Sequence, residues 1–79
     1  NPGTTIRYHL PKQAHVSLEV YNILGQKVVE LLDEVQPAGK YEVQWDGKDG
    51  SNRLVSSGLY FYRIKTEEFS EVKKMILVR

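Results

Sequence analysis

Two features of this chain could bind a metal ion, namely its two histidines and one loop rich in side-chain oxygens. His9 and His15 are the only histidines, and alternation places both on the outward faces of neighbouring early strands. A zinc site needs three or four ligands, and the sequence offers no third. The loop over residues 46–52 carries Lys48 and Gly50 at the alternate positions where a calcium loop requires acidic side chains. We therefore expect solvated histidines, a turn held by Asx hydrogen bonds, and no metal or cofactor.

Nucleophilic catalysis has equally little support. The chain has no cysteine, its serines fall in predicted turns or on an exposed strand, and neither histidine belongs to a nucleophile-elbow pattern. The acidic pairs Asp33-Glu34 and Glu67-Glu68 lie at predicted strand ends, where carboxylates are usually solvated. We predict that the chain is not an enzyme.

Length and charge restrict the remaining classes. Seventy-nine residues form one domain, and the net charge of +1 comes from interspersed acidic and basic residues. A nucleic-acid binder would show a basic stripe, and a membrane span needs roughly 18 apolar residues in a row, so we expect neither nucleic-acid binding nor stable membrane insertion. Asn1-Pro2-Gly3 opens into a turn without a signal peptide, as expected of a module from a larger protein.

The elements that position these residues are all predicted to be strands. Residues 57–65 form the most strongly predicted one, because bulky and aromatic side chains crowd positions 59–64 and both faces are apolar. Gly58 opens it with a predicted positive φ. Alternation and turn residues predict six further strands: residues 4–10, 14–21, 26–34, 40–46, 53–55 and 69–78. Residues 26–34 also fit a helical stripe, but their neighbours favour a strand with a bulge near Glu30.

Seven short strands with frequent turns predict an all-β, Ig-like antiparallel sandwich. Its structural core is predicted to contain Tyr41, Val43, Trp45, Gly58, Tyr60 and Tyr62. Trp45, Tyr60 and Tyr62 could instead form a sugar-stacking platform if they were exposed side by side, but their alternation with aliphatic residues favours core packing.

Several short motifs, taken in order, resemble the type A C-terminal sorting domain of the type IX secretion system. They occupy residues 4–11, 20–28, 37–41, 43–47, 57–63 and 73–78, which is nearly the whole chain. One departure is the opening, because that family usually begins with a longer asparagine-proline-phenylalanine-asparagine-proline segment and this chain has only Asn1-Pro2-Gly3.

The resemblance implies a transport function. The domain would follow the N-terminal domains of its parent protein, pass through the periplasm, and be recognised by the outer-membrane type IX machinery for export to the cell surface or medium. The residues implied in recognition are Lys73, Lys74, Met75, Ile76, Leu77, Val78 and Arg79. Exposed edge strands in so short a sandwich also suggest a homodimer.

Three further interpretations fit the same sequence. The Ig-like domain of the flagellar hook-capping protein shares the Trp45-Asp46-Gly47 motif and the glycine-x-tyrosine motif that begins at Gly58. It ranks second because such domains have no evident reason to end in a lysine-lysine-apolar tail. A structural Ig-like spacer and a carbohydrate-binding module, either of them in a multidomain extracellular enzyme, also fit.

Overall fold

The computed structural model describes residues 3–78, which form six strands in two antiparallel sheets. The strands are β1 (Thr4–Leu10), β2 (Ala14–Tyr21), β3 (Lys27–Gln36), β4 (Gly39–Trp45), β5 (Gly58–Lys65) and β6 (Ser70–Leu77). One sheet pairs β1 with β4, and the other has the order β3-β2-β5-β6. The predicted all-β sandwich is therefore confirmed. A helix of the length and apolarity needed to cross a membrane is absent from residues 3–78.

Alternation along the central strands explains why the two sheets stack. In β2, Val16, Leu18 and Val20 have no solvent exposure, whereas the residues between them face outward. In β5, Tyr60 and Ile64 are buried on the same side. Burial of such side chains stabilises each by about 1.5–3 kcal/mol relative to exposure, so the inner faces of these two strands form the centre of the core.

The segment with ambiguous periodicity is a strand, as predicted. In β3, Leu32 lies opposite Leu18 and Val29 lies opposite Val20, and the register shifts twice along this pair. Each shift inserts an extra residue and bends the strand. The bulges let both doubled apolar pairs of β3 contribute to the core, which strict alternation would not allow.

The predicted short strand over residues 53–55 is wrong. Leu54 forms only an isolated bridge with Lys48 and is 61% exposed. The reason is local, since the carboxylate of Asp49 and the carbonyl of Gly47 accept the backbone N–H groups of Arg53 and Val55 at 3.0 and 2.9 Å. Side-chain and loop hydrogen bonds replace a ladder there.

Trp45 lies between the sheets and has no solvent exposure. Its indole meets the ring of Tyr60 edge-on with centroids 5.0 Å apart, and its Nε1 donates to the carbonyl of Lys48 at 2.9 Å. Of the other residues predicted in the core, Tyr62 is buried, whereas Tyr41 and Val43 are half-buried and pack against the core. Gly58 is exposed at the start of β5. With all three rings enclosed, Trp45, Tyr60 and Tyr62 form no sugar-stacking platform.

Two glycine-x-tyrosine motifs form equivalent corners. Gly39 and Gly58 open β4 and β5 with φ angles of 151° and 148°. Two residues later in each strand, a tyrosine donates its hydroxyl hydrogen to a carbonyl four residues back in the chain. Tyr41 donates to Pro37 at 2.6 Å and Tyr60 donates to Ser56 at 2.7 Å. The corners fix the direction in which both strands enter the sandwich.

Removing the corner hydroxyl should destabilise the fold selectively. Tyr60→Phe is expected to lower the free energy of unfolding by about 1 kcal/mol, because it leaves the Ser56 carbonyl without its hydrogen bond. Tyr62→Phe is the matched control, since the Tyr62 hydroxyl makes no hydrogen bond within residues 3–78, and it should change stability little. Urea denaturation of both variants checks this, and equal losses would contradict it.

The backbone conformation at the start of β5 should require a glycine at position 58. Gly58→Ala should destabilise by about 1 kcal/mol or more, because φ is positive there, although an added Cβ would meet no atom within 4 Å. Gly50→Ala is the control, since Gly50 does not have a positive φ and its added Cβ would lie 3.9 Å from the nearest atom, the Val28 carbonyl oxygen. Thermal unfolding should separate the variants, and a neutral Gly58→Ala would contradict the assignment.

Candidate functional site

The C-terminal segment proposed for recognition forms most of β6 and divides into two sets. Met75 and Leu77 are buried and close the core, whereas Ile76 and Val78 are 58% and 66% exposed. Arg79 lies outside the described residues.

Both lysines of the segment are exposed. The Nζ of Lys73 lies 3.3 Å from a carboxylate oxygen of Glu71, whereas Lys74 makes no ion pair within the described part of the chain. Among the residues that the structure describes, this segment therefore lies on an edge strand and carries one lysine without an ion pair.

The two histidines lie in different sheets. His9 lies opposite Lys40 in the two-stranded sheet, and His15 lies opposite Val35 in the four-stranded one. The expectation that they lie on neighbouring strands is therefore wrong, because β1 crosses to the other sheet. His15 contacts Asp33 through Nε2 at 2.7 Å, and residues 3–78 contain no cluster of three groups that could hold a metal.

The polar loop after β4 is closed by its own carboxylates. Asp49 accepts the backbone N–H groups of Ser51 and Arg53 at 2.9 and 3.0 Å, and Asp46 accepts that of Lys48 at 3.1 Å. The hydrogen bond from the Arg53 backbone, followed by that from Ser51, lowers the pKa of Asp49. The carboxylates thus form the Asx turns expected from the sequence.

A charged cluster on the outer face of the large sheet was missed by the sequence analysis. Alternation placed Glu19 on a face exposed to water, yet only 12% of its side chain is exposed. Its carboxylate accepts hydrogen bonds from the Tyr21 hydroxyl at 2.7 Å and Arg63 Nη2 at 2.9 Å, and it lies 3.3 Å from Lys27 Nζ. Arg63 also lies over the Tyr21 ring, with 5.7 Å from its central carbon to the ring centroid.

The cluster joins three strands around one carboxylate. The Tyr21 hydrogen bond is the largest influence lowering the pKa of Glu19, and the Arg63 and Lys27 hydrogen bonds lower it further. The same hydrogen bond raises the pKa of Tyr21. One sequence signal was available, namely an arginine in the otherwise apolar run of β5, since such a side chain needs an acidic neighbour to be half-buried. The arrangement suits structural support, because every member is engaged with another.

The two sheets, their register and their tyrosine corners define an Ig-like β-sandwich. The model of the FlgD Ig-like domain family matches residues 2–69, and the chain belongs to this family. Among solved structures, FlgD from P. aeruginosa superposes with a TM-score of 0.74 at 25% sequence identity. That superposition covers 95% of this chain and 58% of the FlgD chain. No curated protein matches the sequence.

The interpretation as a type IX sorting domain is wrong, because the family model and the solved structure both indicate FlgD. The physical reason lies in what the shared motifs do. Trp45 fills the core and Gly58 and Tyr60 build a corner, so these motifs specify the sandwich and not its partner. The matched span ends at residue 69, before the lysine-rich tail on which the sorting interpretation depended.

The hydrogen-bonded carboxylate of Glu19 should make stability depend on pH. Because the pKa of Glu19 is lowered in the folded state, its contribution is present above the unfolded pKa of about 4.3 and is lost as pH falls through the folded pKa. Glu19→Gln should therefore cost about 1–3 kcal/mol at pH 7, and the difference from wild type should shrink in acid.

Denaturant titrations between pH 7 and pH 2 measure this convergence. Glu30→Gln is the matched control, since Glu30 is exposed and lies opposite Glu19 on β3 without an ion pair among the described residues. A Glu19→Gln deficit that stayed constant with pH would contradict a role for the charge.

Proposed function

We propose that this chain is a non-catalytic assembly module of a flagellar hook-capping protein of the FlgD type. The observation that carries the proposal is the family match over residues 2–69. The sandwich would be one domain of a longer polypeptide, because the superposition covers only 58% of FlgD. Its partners would be the other domains of its parent and neighbouring flagellar subunits.

The chemistry of the described residues supports a binding module. Glu19, Asp49 and His15 all engage partners within the fold. Their contacts hold strands and turns in place, which gives a rigid body suited to transmitting position between neighbouring domains. Edges of the two sheets remain available for protein contacts.

A structural spacer in another multidomain protein is the second candidate. The motifs that the chain shares with the family are architectural, as Trp45 and the corner at Gly58 illustrate. A spacer would use the same core without any role in flagellar assembly. The two candidates therefore differ in what is lost when the domain is removed.

Deletion of the domain from its parent gene should prevent hook assembly. The experiment replaces the chromosomal gene with a version that lacks residues 1–79, and it counts hooks by electron microscopy and measures swimming. The proposal predicts cells without complete hooks, rescued by the intact gene. Normal hooks together with stable, normally abundant truncated protein would contradict the proposal and favour the spacer.

Two conservative substitutions control for editing of the gene without loss of the fold. Glu30→Gln in the intact gene alters an exposed residue without an ion pair among those described, so it should preserve hooks. Tyr62→Phe should preserve them as well. Immunoblots of the parent protein confirm equal abundance in every strain.

A further inference from the structure

Strand β6 is an uncovered edge of the large sheet. Within residues 3–78 it pairs only with β5, and its first five residues are all exposed. Val72 and Ile76 are 59% and 58% exposed. Strand β6 approaches β1 of the opposite sheet, and Arg7 of β1 lines a cleft there together with Glu71 and Lys73 of β6. An exposed edge of this kind is a template for pairing with another strand.

Hydrogen-bond alternation identifies the backbone groups of β6 that face outward. Just before the strand, the Thr66 amide donates to the Phe69 carbonyl at 2.8 Å, and the β5–β6 register continues this pairing without a shift. Opposed residues of an antiparallel pair alternate between bonded and non-bonded pairs. Every second residue after Phe69 therefore bonds to β5, and Lys73 is one of them. The backbone N–H and C=O groups of Val72 and Lys74 point away from β5. The same holds for Ile76.

The side chains of these three residues share the outer face of the sheet. The register places Lys74 opposite Phe61 and Ile76 opposite Leu59, and Leu59 is itself 36% exposed. The outer face of the edge strand therefore presents Val72, Lys74 and Ile76 at alternate positions, and the side chain of Leu59 adds apolar surface beside them. A segment that matches it would carry the pattern apolar-x-acidic-x-apolar, because a carboxylate opposite Lys74 would satisfy its charge.

A second copy of this strand does not match. Two copies of β6 could pair in antiparallel fashion only through the backbone groups that point away from β5. Val72, Lys74 and Ile76 would then have to lie opposite residues of the other copy whose backbone groups also point outward. The two longest such registers place Lys73 opposite Lys73, or Lys74 opposite Lys74. Like charges directly opposed destabilise a strand pair, so the lysines select against self-association and in favour of an acidic partner.

We propose that β6 binds an extended segment of a partner protein by antiparallel strand addition, and that this segment carries an acidic residue between two apolar ones, opposite Lys74. The inference rests on the proposed assembly function, since it gives the chemistry of a contact that such a module would make. Main-chain hydrogen bonds would supply affinity, and the alternate side chains would supply specificity.

A peptide titration followed by NMR tests the proposal. The probe is the acetylated and amidated peptide Thr-Val-Thr-Glu-Thr-Val-Thr, and its control replaces the glutamate with lysine. Added to the 15N-labelled chain, the glutamate peptide should give saturable shift changes centred on the amides of Val72, Lys74 and Ile76. It should bind about fivefold more tightly than the lysine peptide.

Three variants separate charge from backbone pairing. Lys74→Glu should reverse the preference between the two peptides, whereas Lys65→Glu should not, because Lys65 is exposed on the same face but lies opposite Ser70 on the strand next to the edge. Val72→Pro should abolish binding, since it removes an outward N–H that the β5–β6 ladder does not use. Unchanged cross-strand nuclear Overhauser contacts between β5 and β6 would establish that this variant is folded.

Four results would overturn the proposal: no saturable shifts, shifts centred away from β6, equal effects of Lys74→Glu and Lys65→Glu, or shifts that depend only on protein concentration, which would indicate a second copy. None of them bears on hook assembly in the deletion strain. Conversely, peptide binding would stand even if the deletion strain assembled normal hooks.

Discussion

The contact between Trp45 and Tyr60 is the interaction on which the rest of the structure depends. Within residues 3–78 no strand of one sheet pairs with a strand of the other, so side-chain packing must hold the sheets together. The largest enclosed side chain is that of Trp45. Its ring meets Tyr60 across the sandwich, while its Nε1 holds the loop after β4 through the carbonyl of Lys48. Tyr60 in turn fixes the entry to β5 through Ser56. One aromatic pair thus joins both sheets and two connections, which a domain of this size needs because its core is small.

Much of the fold could be predicted because alternation reports burial directly. Val16, Leu18 and Val20 follow the period of two without exception, and the bulges of β3 were signalled by its doubled apolar pairs. Prediction failed where the backbone forms local hydrogen bonds. Residues 53–55 were predicted to be a strand because they contain apolar residues, but the backbone N–H of Arg53 donates to the carboxylate of Asp49. It failed again at Glu19, because Arg63, one of the partners that enclose this side chain, comes from β5, a strand distant in sequence.

The functional interpretation failed for a related reason. Motifs such as Trp45-Asp46-Gly47 and the corner at Gly58 arise from the packing of the sandwich, so relatives with different partners can share them. The signal that separated families in the sequence analysis was the tail, and its residues serve two purposes: Met75 and Leu77 seal the core, whereas Lys74 remains exposed without an ion pair among the described residues. A lysine on an edge strand commonly protects against indiscriminate strand pairing. Its presence is therefore not by itself evidence of a sorting signal.

An assembly module must be found where assembly takes place. The measurement that tests this claim most directly is the location of the parent protein in growing cells, by immunogold labelling with an antibody against this domain. A hook-capping function predicts label at the ends of growing hooks, and its absence from cells that lack the parent gene. Label distributed over the cell, with growing hooks unlabelled, would contradict the account.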